Sequence, residues 1–310
     1  MTALICGSFA YDTIMVFDGR FRDHILPDRV HMLNVAFLVP ELRRNYGGTA
    51  GNIMYNLKLL EGDGLPMGTV GADFTNYREW MRKHNINDKY VLTIESEYTA
   101  QAYITTDKED NQITAFHPGA MNHAHVQKVP TDDGIKLGVI APDGRDGMIE
   151  HAEQFSQAGI PFLFDPGQGL PMFDGDDLMK FIEKATWVAV NDYEAGMLEE
   201  KTGLSREQIG AKVEALIVTK GGEGSVIYAD ETVEVEAVKP EAVNDPTGCG
   251  DAYRAGLIYG LSQGMDWKTI GRIASLMGSI KVASNGPQNH KFTQSQFREK
   301  FRAAFGQDIL

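Results

Sequence analysis

The chain has 310 residues, enough for one large α/β domain or two small ones. A chain of that length buries roughly three quarters of its unfolded surface without staples. Lys and Arg number 29 against 43 Asp and Glu, a net charge of −14. That argues against nucleic acid or an anionic membrane as main partner and leaves small molecules. The two cysteines, Cys6 and Cys249, argue against a disulfide framework and point to a reducing compartment, the cytoplasm. The leading MTALICGSF has no basic region before its short apolar run, as a signal peptide would.

In chain order, Ala3–Phe9 reads as a buried first strand ending at Gly7-Ser8. Asp12 follows it, near where open α/β sheets bind ligands. Thr13–Phe17, Val30–Leu33 and Val35–Val39 are short apolar runs between charged turns, predicted as strands of a lid outside the main sheet. Asn45-Tyr46-Gly47-Gly48-Thr49-Ala50-Gly51-Asn52 then opens a helix with Ile53, Met54, Leu57 and Leu60 on one face. The Gly47-Gly48 doublet suits either a backbone that a ligand approaches or plain capping and close packing; Asn52 lies one turn in.

Pro66–Val70 is predicted as a strand and Tyr77–His84 as a helix. From Tyr98 to His117 apolar and polar residues alternate on either side of Asp107–Asn111, the pattern of a hairpin. It joins the earlier segment as one discontinuous lid, about 13–45 and 98–118, on a single domain spanning 1–310. From residue 136 a βα rhythm sets in. Strands fit Leu137–Ala141, Pro161–Asp165, Trp187–Val190 and Ala215–Thr219; helices fit Met148–Ala158, Asp176–Lys184, Glu194–Thr202 and Arg206–Val213. Such alternation predicts a parallel sheet with helices on both faces. Ser225–Ala229 and Thr232–Glu236 form an edge hairpin, and helices Trp267–Ala283 and Ser295–Phe305 close the chain.

The most informative stretch is Asn244–Gly264. A turn, Asp245-Pro246-Thr247, leads into Gly248-Cys249-Gly250-Asp251 and then an apolar helical pattern. The first amides of a helix lack internal partners and the dipole is positive there, so this turn can hold a phosphoryl group. Asp251 on its rim is either a base that deprotonates a hydroxyl or a carboxylate that caps the helix. Other polar positions follow predicted strand ends: Asn191 and Glu194, able to hold a hydrated Mg²⁺, and Thr219, Gly221 and Gly224, suited to phosphate oxygens or to an ordinary hairpin turn. There is no G-x-x-x-x-G-K-[ST] and no G-x-G-x-x-G after the first strand, which argues against a P-loop enzyme and a dinucleotide dehydrogenase.

Along nearly its whole length the chain resembles the ribokinase (PfkB-type) carbohydrate and nucleoside kinases. The resemblance rests on Gly7…Asp12, Gly47-Gly48-x-x-x-Asn52, Asn191-x-x-Glu194, Thr219-x-Gly221-x-x-Gly224 and Asp245-Pro246-Thr247-Gly248-Cys249-Gly250-Asp251. It implies a Rossmann-like αβα sandwich, mainly parallel, with a small β-sheet lid, and transfer of the γ-phosphoryl of MgATP to a primary hydroxyl. It implies that Asp251 is the base and that the amides of Gly248, Cys249, Gly250 and Asp251 form the anion hole. Asp12, Gly47, Gly48 and Asn52 would bind sugar hydroxyls. Asn191, Glu194, Thr219, Gly221 and Gly224 would hold the nucleotide phosphates and, through water at Glu194, Mg²⁺. Asp245 and Thr247, with backbone near Ser284–Gly286, would lie where some members hold a monovalent cation, K⁺. Many members have Ala where this chain has Cys249; a thiol at a helix N-terminus is expected to be acidic and reactive.

Within the family the lid segments His31–Pro40 and Ala102–Met121 resemble those of bacterial adenosine kinases. Phe37 and Phe116 are placed to stack on a purine or, alternatively, to pack the lid's own interface. Three functions follow: a kinase converting adenosine to AMP, a ribokinase- or fructokinase-type sugar kinase, and a silent binding protein on the kinase fold. Monomer and homodimer are left equally open.

Overall fold

The structure is a computed structural model and describes residues 1–25, 34–109, 111–131 and 133–309. In chain order its first half gives β1 (Thr2–Cys6), β2 (Ala10–Val16), β3 (Glu41–Gly47), α1 (Thr49–Leu59), β4 (Gly64–Gly71), α2 (Thr75–Lys83), β5 (Tyr90–Ile94), β6 (Ala100–Thr106), β7 (Gln112–His117) and β8 (Ile135–Ile140). The second half gives α3 (Arg145–Gln157), β9 (Phe162–Phe164), α4 (Gly175–Lys184), β10 (Trp187–Asn191), α5 (Asp192–Thr202), α6 (Arg206–Gly210), β11 (Ala215–Thr219), β12 (Ser225–Tyr228), β13 (Thr232–Val235), α7 (Cys249–Ser262), α8 (Trp267–Val282) and α9 (Gln294–Phe305).

Among the described residues nine strands form one sheet in the order β13-β12-β11-β10-β9-β8-β1-β4-β5. Every pairing from β11 to β5 is parallel; β12 and β13 turn back antiparallel at one edge. The central strands read as unbroken apolar runs because both faces are covered. Alternate residues divide between two cores. Ala3 and Ile5 of β1 face a core shared with Ile53 and Leu57 of α1 and Leu257 and Ile258 of α7. Leu4 and Cys6 face the opposite core, with Phe155 of α3 and Phe181 of α4. The strand period of two thus sends successive side chains into two helical layers, the sandwich expected from the βα rhythm.

A second sheet, β3-β2-β6-β7, is built from residues 10–16, 41–47, 100–106 and 112–117. Here one expectation is corrected. The strand after Phe17 is β3 and not Val35–Val39, which carry no strand; Val30–Leu33 lie outside the described residues. All seven residues of β3 pair with β2, from Ala10↔Gly47 to Val16↔Glu41. Its outer positions Glu41 to Arg44 are exposed, so backbone pairing defines a charged edge strand that no apolar alternation announces. The apolar run before it sends Phe37 into a ring cluster with Phe17 and Phe21, at centroid distances of 4.8 and 5.1 Å. The sequence reading also omitted β5, an edge strand parallel to β4. Among the described residues no helix is long and apolar enough to cross a membrane.

The second core offers a direct test of packing. Phe164 is fully buried, with its ring stacked on Phe181 at 4.3 Å and 5°. Phe164→Ala is expected to cost about 3–5 kcal/mol of unfolding free energy, measured by denaturant titration.

Candidate active site

The C-terminal ends of the parallel strands, the N-terminus of α7 and one face of the small sheet line a single cavity of about 1250 Å³. This is the rim where open α/β sheets take ligands. Asp12, Gly48, Asn52, Phe116, Asn191, Glu194, Thr219, Gly221, Gly224, Asp245, Thr247, Gly248, Cys249, Gly250 and Asp251 all line it. Two expected residues do not. Phe37 sits in the ring cluster described above. Gly47 is buried beneath Asp12, where an added Cβ would lie 2.6 Å from the Asp12 Oδ2, so its part is to let that carboxylate rest on the backbone.

At α7 the chain turns on Gly248, which has a φ of 80° and caps the helix with no side chain. The Cys249 N–H donates to the Pro246 carbonyl at 3.1 Å. The next two N–H groups, of Gly250 and Asp251, have no intrahelical acceptor and sit at the positive end of the dipole. An added Cβ on Gly250 would meet only the Arg254 Nη1, at 3.8 Å, so the approach to these amides is open. At α1 the similar turn differs. The Ser8 Oγ accepts from the Thr49 N–H at 3.2 Å and the Ser8 carbonyl from the Ala50 N–H at 3.0 Å. Gly48, with a φ of 85°, is required because a Cβ would lie 2.5 Å from the Ser8 carbonyl and the Ala10 amide.

Asp251 is half-buried, and the Asn52 Nδ2 donates to its Oδ2 at 2.7 Å. Gln288 fixes Asn52: its Nε2 donates to the Asn52 Oδ1 at 2.9 Å, and its Oε1 accepts from the Trp80 Nε1 at 2.9 Å. Burial pushes the Asp251 carboxyl up, and the charges of Asp165 and Asp12 add to the rise. The Asn52 hydrogen bond and the Arg254 guanidinium pull it back, to about 7. A carboxyl at that value is ionised often enough at neutral pH to act as a base and basic enough to hold a proton. Asp12, on β2, is raised to about 6 by burial and by Asp245.

Arg254, one turn into α7, donates from Nε and Nη2 to both oxygens of Asp165, at 3.1 and 3.0 Å; its Nη2 lies 4.0 Å from the Glu194 Oε2. Both partners are nearly inaccessible. Asn191 and Glu194 close a capping box on α5, each side chain accepting from the other's N–H at 2.8 Å. Thr219, Gly221 and Gly224 form the turn between β11 and β12 and also face the cavity, so the hairpin and ligand readings meet in one loop. Ile14, Ala102, Ile104, Thr114 and Phe116 present an apolar wall from the small sheet, with Phe116 50% exposed.

The sequence reading missed Asp143, Asp165, Arg254 and Gln288. Asp143 follows a predicted strand and Asp165 ends one, close to the signal that picked out Asn191. Arg254 is a charge in the apolar face of a predicted helix. Nothing in the sequence marks Gln288. The expectation of an acidic Cys249 is corrected: burial pushes its thiol up to about 11, against the pull of Lys281. At the expected monovalent-cation site, several Asp245 oxygens already have protein partners. The Asp245 carboxylate accepts from the N–H groups of Thr247 and Gly286, both at 2.8 Å, and the Asp245 carbonyl accepts from the Lys281 Nζ. Among the described residues no cluster of three or more His, Cys, Asp and Glu is placed to hold a metal directly. A hydrated Mg²⁺ needs only one or two carboxylates besides phosphate and water, and Glu194 supplies one.

Residues 12–294 match the profile of the pfkB family of carbohydrate kinases. The nucleoside kinase of Methanocaldococcus jannaschii is 32% identical over 270 residues, which cover 86% of this chain and 89% of that protein. The nucleoside kinase of Burkholderia thailandensis, solved in complex with inosine, has a TM-score of 0.89 at 51% identity, covering 99% of both chains. In complex with ADP-inosine it has a TM-score of 0.87 at 53% identity, covering 99% of this chain and 97% of that one.

Asp143 gives a test independent of any reaction. It is 3% exposed, its Oδ2 has no partner among the described residues, and burial raises its pKa to about 8. A carboxyl raised on folding stabilises the native state below its unfolded pKa and loses that contribution as pH rises to the folded value. Asp143→Asn cannot ionise. It should melt close to wild type near pH 4 and above it by pH 8, in thermal scans across that range.

Proposed function

The chain belongs to the pfkB family of carbohydrate kinases, and from that premise we propose that it is a nucleoside kinase. It transfers the γ-phosphoryl of ATP to the 5′-hydroxyl of a purine nucleoside, with adenosine as the favoured acceptor. The observation that carries this reading is the Asp251 carboxyl, at about 7, beside the two open amides at the start of α7. A cavity of about 1250 Å³ has room for two substrates, since a single drug-sized ligand takes about 300–1,000 Å³.

The acceptor lies under the small sheet. Asp12, the Gly48 backbone and Asn52 hold the ribose hydroxyls, and Phe116 with Ile14 and Ile104 gives the base an apolar wall. A free sugar would have little use for that wall, which favours a nucleoside. The nucleotide phosphates lie along Asn191, Glu194, Thr219, Gly221 and Gly224. Glu194 would hold a hydrated Mg²⁺ here, and the ion would supply charge neutralisation to the phosphates. Asn52 occupies the Asp251 Oδ2, which leaves Oδ1 to take the proton of the 5′-hydroxyl as it attacks in line. The Gly250 and Asp251 amides and the Arg254 guanidinium receive the charge of the migrating group, the larger part of the rate enhancement. Closure of the small sheet excludes water that would otherwise hydrolyse ATP.

Two measurements test this. ADP release over adenosine, inosine, guanosine, ribose and fructose should rank the nucleosides first by kcat/KM. Turnover confined to free sugars would establish a sugar kinase, and tight binding without turnover a silent binder. Asp251→Asn should bind both substrates with unchanged affinity by calorimetry while kcat falls about 10²–10⁴-fold. In wild type, kcat/KM should rise with pH up to about 7 and level off above it, because the ionised carboxyl is the active form.

A further inference from the structure

We propose that the Lys281 ammonium is a built-in cation that takes the place of a free monovalent ion beside the phosphoryl site, so that this enzyme works without potassium. Lys281 lies in the last turn of α8 and is 0% exposed. Lysine is almost never fully buried without a partner. Its Nζ donates to the Asp245 carbonyl at 2.7 Å and to the Ser284 carbonyl at 3.1 Å.

These carbonyls come from the two loops that meet at the start of α7. One runs from Asp245 into Gly248. The other begins at Ser284 and passes through Gly286 to Pro287, whose Cβ lies 2.8 Å from where a Cβ on Gly248 would stand. Carbonyl oxygens at the negative end of a helix make a site for a cation. Here the cation is tethered by a side chain. An ammonium already holds the Asp245 carbonyl at hydrogen-bond distance, and the Asp245 carboxylate already accepts from two backbone N–H groups, so a free ion would compete with both. The tether therefore does two things. It stitches the loop that carries the open amides to the loop behind it, and it places a fixed positive charge behind the carboxylates of Asp245 and Asp251. Burial draws the lysine pKa down, while Asp245, Cys249 and Asp251 hold it up.

The rate arm of the test rests on the proposed phosphotransfer; the melting arm does not, so the two ideas can fail separately. Wild-type protein is measured in potassium, sodium and choline chloride at equal ionic strength, for turnover and for melting temperature. The expected result is the same rate and the same melting temperature in all three. Activation by potassium over choline of about fivefold or more, the low end of a typical coupling between sites, would overturn the proposal. So would a melting temperature raised by potassium alone. Lys281→Ala opens the carbonyl pair. Its turnover in choline should fall about tenfold or more, and potassium or methylammonium should restore it. Full activity in choline, or a loss that neither cation repairs, counts against the ammonium as the resident charge. If the variant does not fold, the wild-type comparison in the three salts decides alone.

Discussion

The hydrogen bond from Asn52 to Asp251, 2.7 Å across 199 residues of sequence, is the contact on which the site depends. It can form only if α1 and α7 deliver their first turns to the same point. Both begin at a glycine with positive φ, and both bury apolar faces in one core, Ala50 and Ile53 from α1 beside Ala255 and Ile258 from α7. Behind α7, α8 packs so closely that a Cβ on Gly256 would come within 2.5 Å of the Ala274 Cα. The position of the carboxylate is therefore set by helix packing, with little left to loop conformation. Gln288 completes the constraint. It donates to the Asn52 carbonyl oxygen, so the Asn52 amide nitrogen must face Asp251. A carboxylate held this way owes its geometry to the fold, which is what preorganisation requires.

The charge arrangement follows from the same enclosure. Asp12, Asp143, Asp251 and Glu194 all line a cavity suited to phosphates, and burial raises all four. Asp143, at about 8, and Asp251, at about 7, spend part of their time neutral at ordinary pH, which lessens repulsion toward an anionic ligand in a chain of net charge −14. Beside them, Asp165 has both its oxygens held by Arg254. A guanidinium suits that place: it stays charged when buried, its planar fork matches a carboxylate, and its Nη2 also donates to the Ala189 carbonyl at 3.3 Å. A buried pair like this adds little net stability, yet losing one partner strands a charge. Its value here lies in keeping a cation at one position near the amides of α7.

How much of this was legible follows from the range of the forces involved. The central strands announced themselves because burial on both faces leaves only apolar residues, and β11 falls on Ala215–Thr219 as read. The strand ends gave most of the cavity wall for the same reason, since topology fixes where they point. Features set by distant partners stayed hidden. β3 is a strand because β2 offers a ladder, despite its charges. For Phe37 the sequence leaves ligand stacking and packing within the lid open, and its contacts with Phe17 and Phe21 favour the packing. The Cys249 thiol looked acidic from its place at a helix start, whereas burial, a tertiary property, outweighs the dipole. Lys281 reads in the sequence as an ordinary helical lysine, because the carbonyls that hold it come from two separate loops.

The two glycine turns show where local reading stops. In sequence each is a glycine-rich turn opening an apolar helix, and elementary physics makes either one an anion hole. Ser8 decides between them. It lies two residues past the end of β1, and there its hydroxyl and carbonyl take the first amides of α1, with its hydroxyl also 3.3 Å from the Thr49 hydroxyl. The α1 terminus is thus satisfied by protein and serves to position Asn52. The α7 terminus has no such neighbour among the described residues, and its Gly250 and Asp251 amides are left without an intrahelical acceptor. The difference between the two turns rests on a serine more than 40 residues before the first helix and some 240 before the second, which no local pattern could weigh.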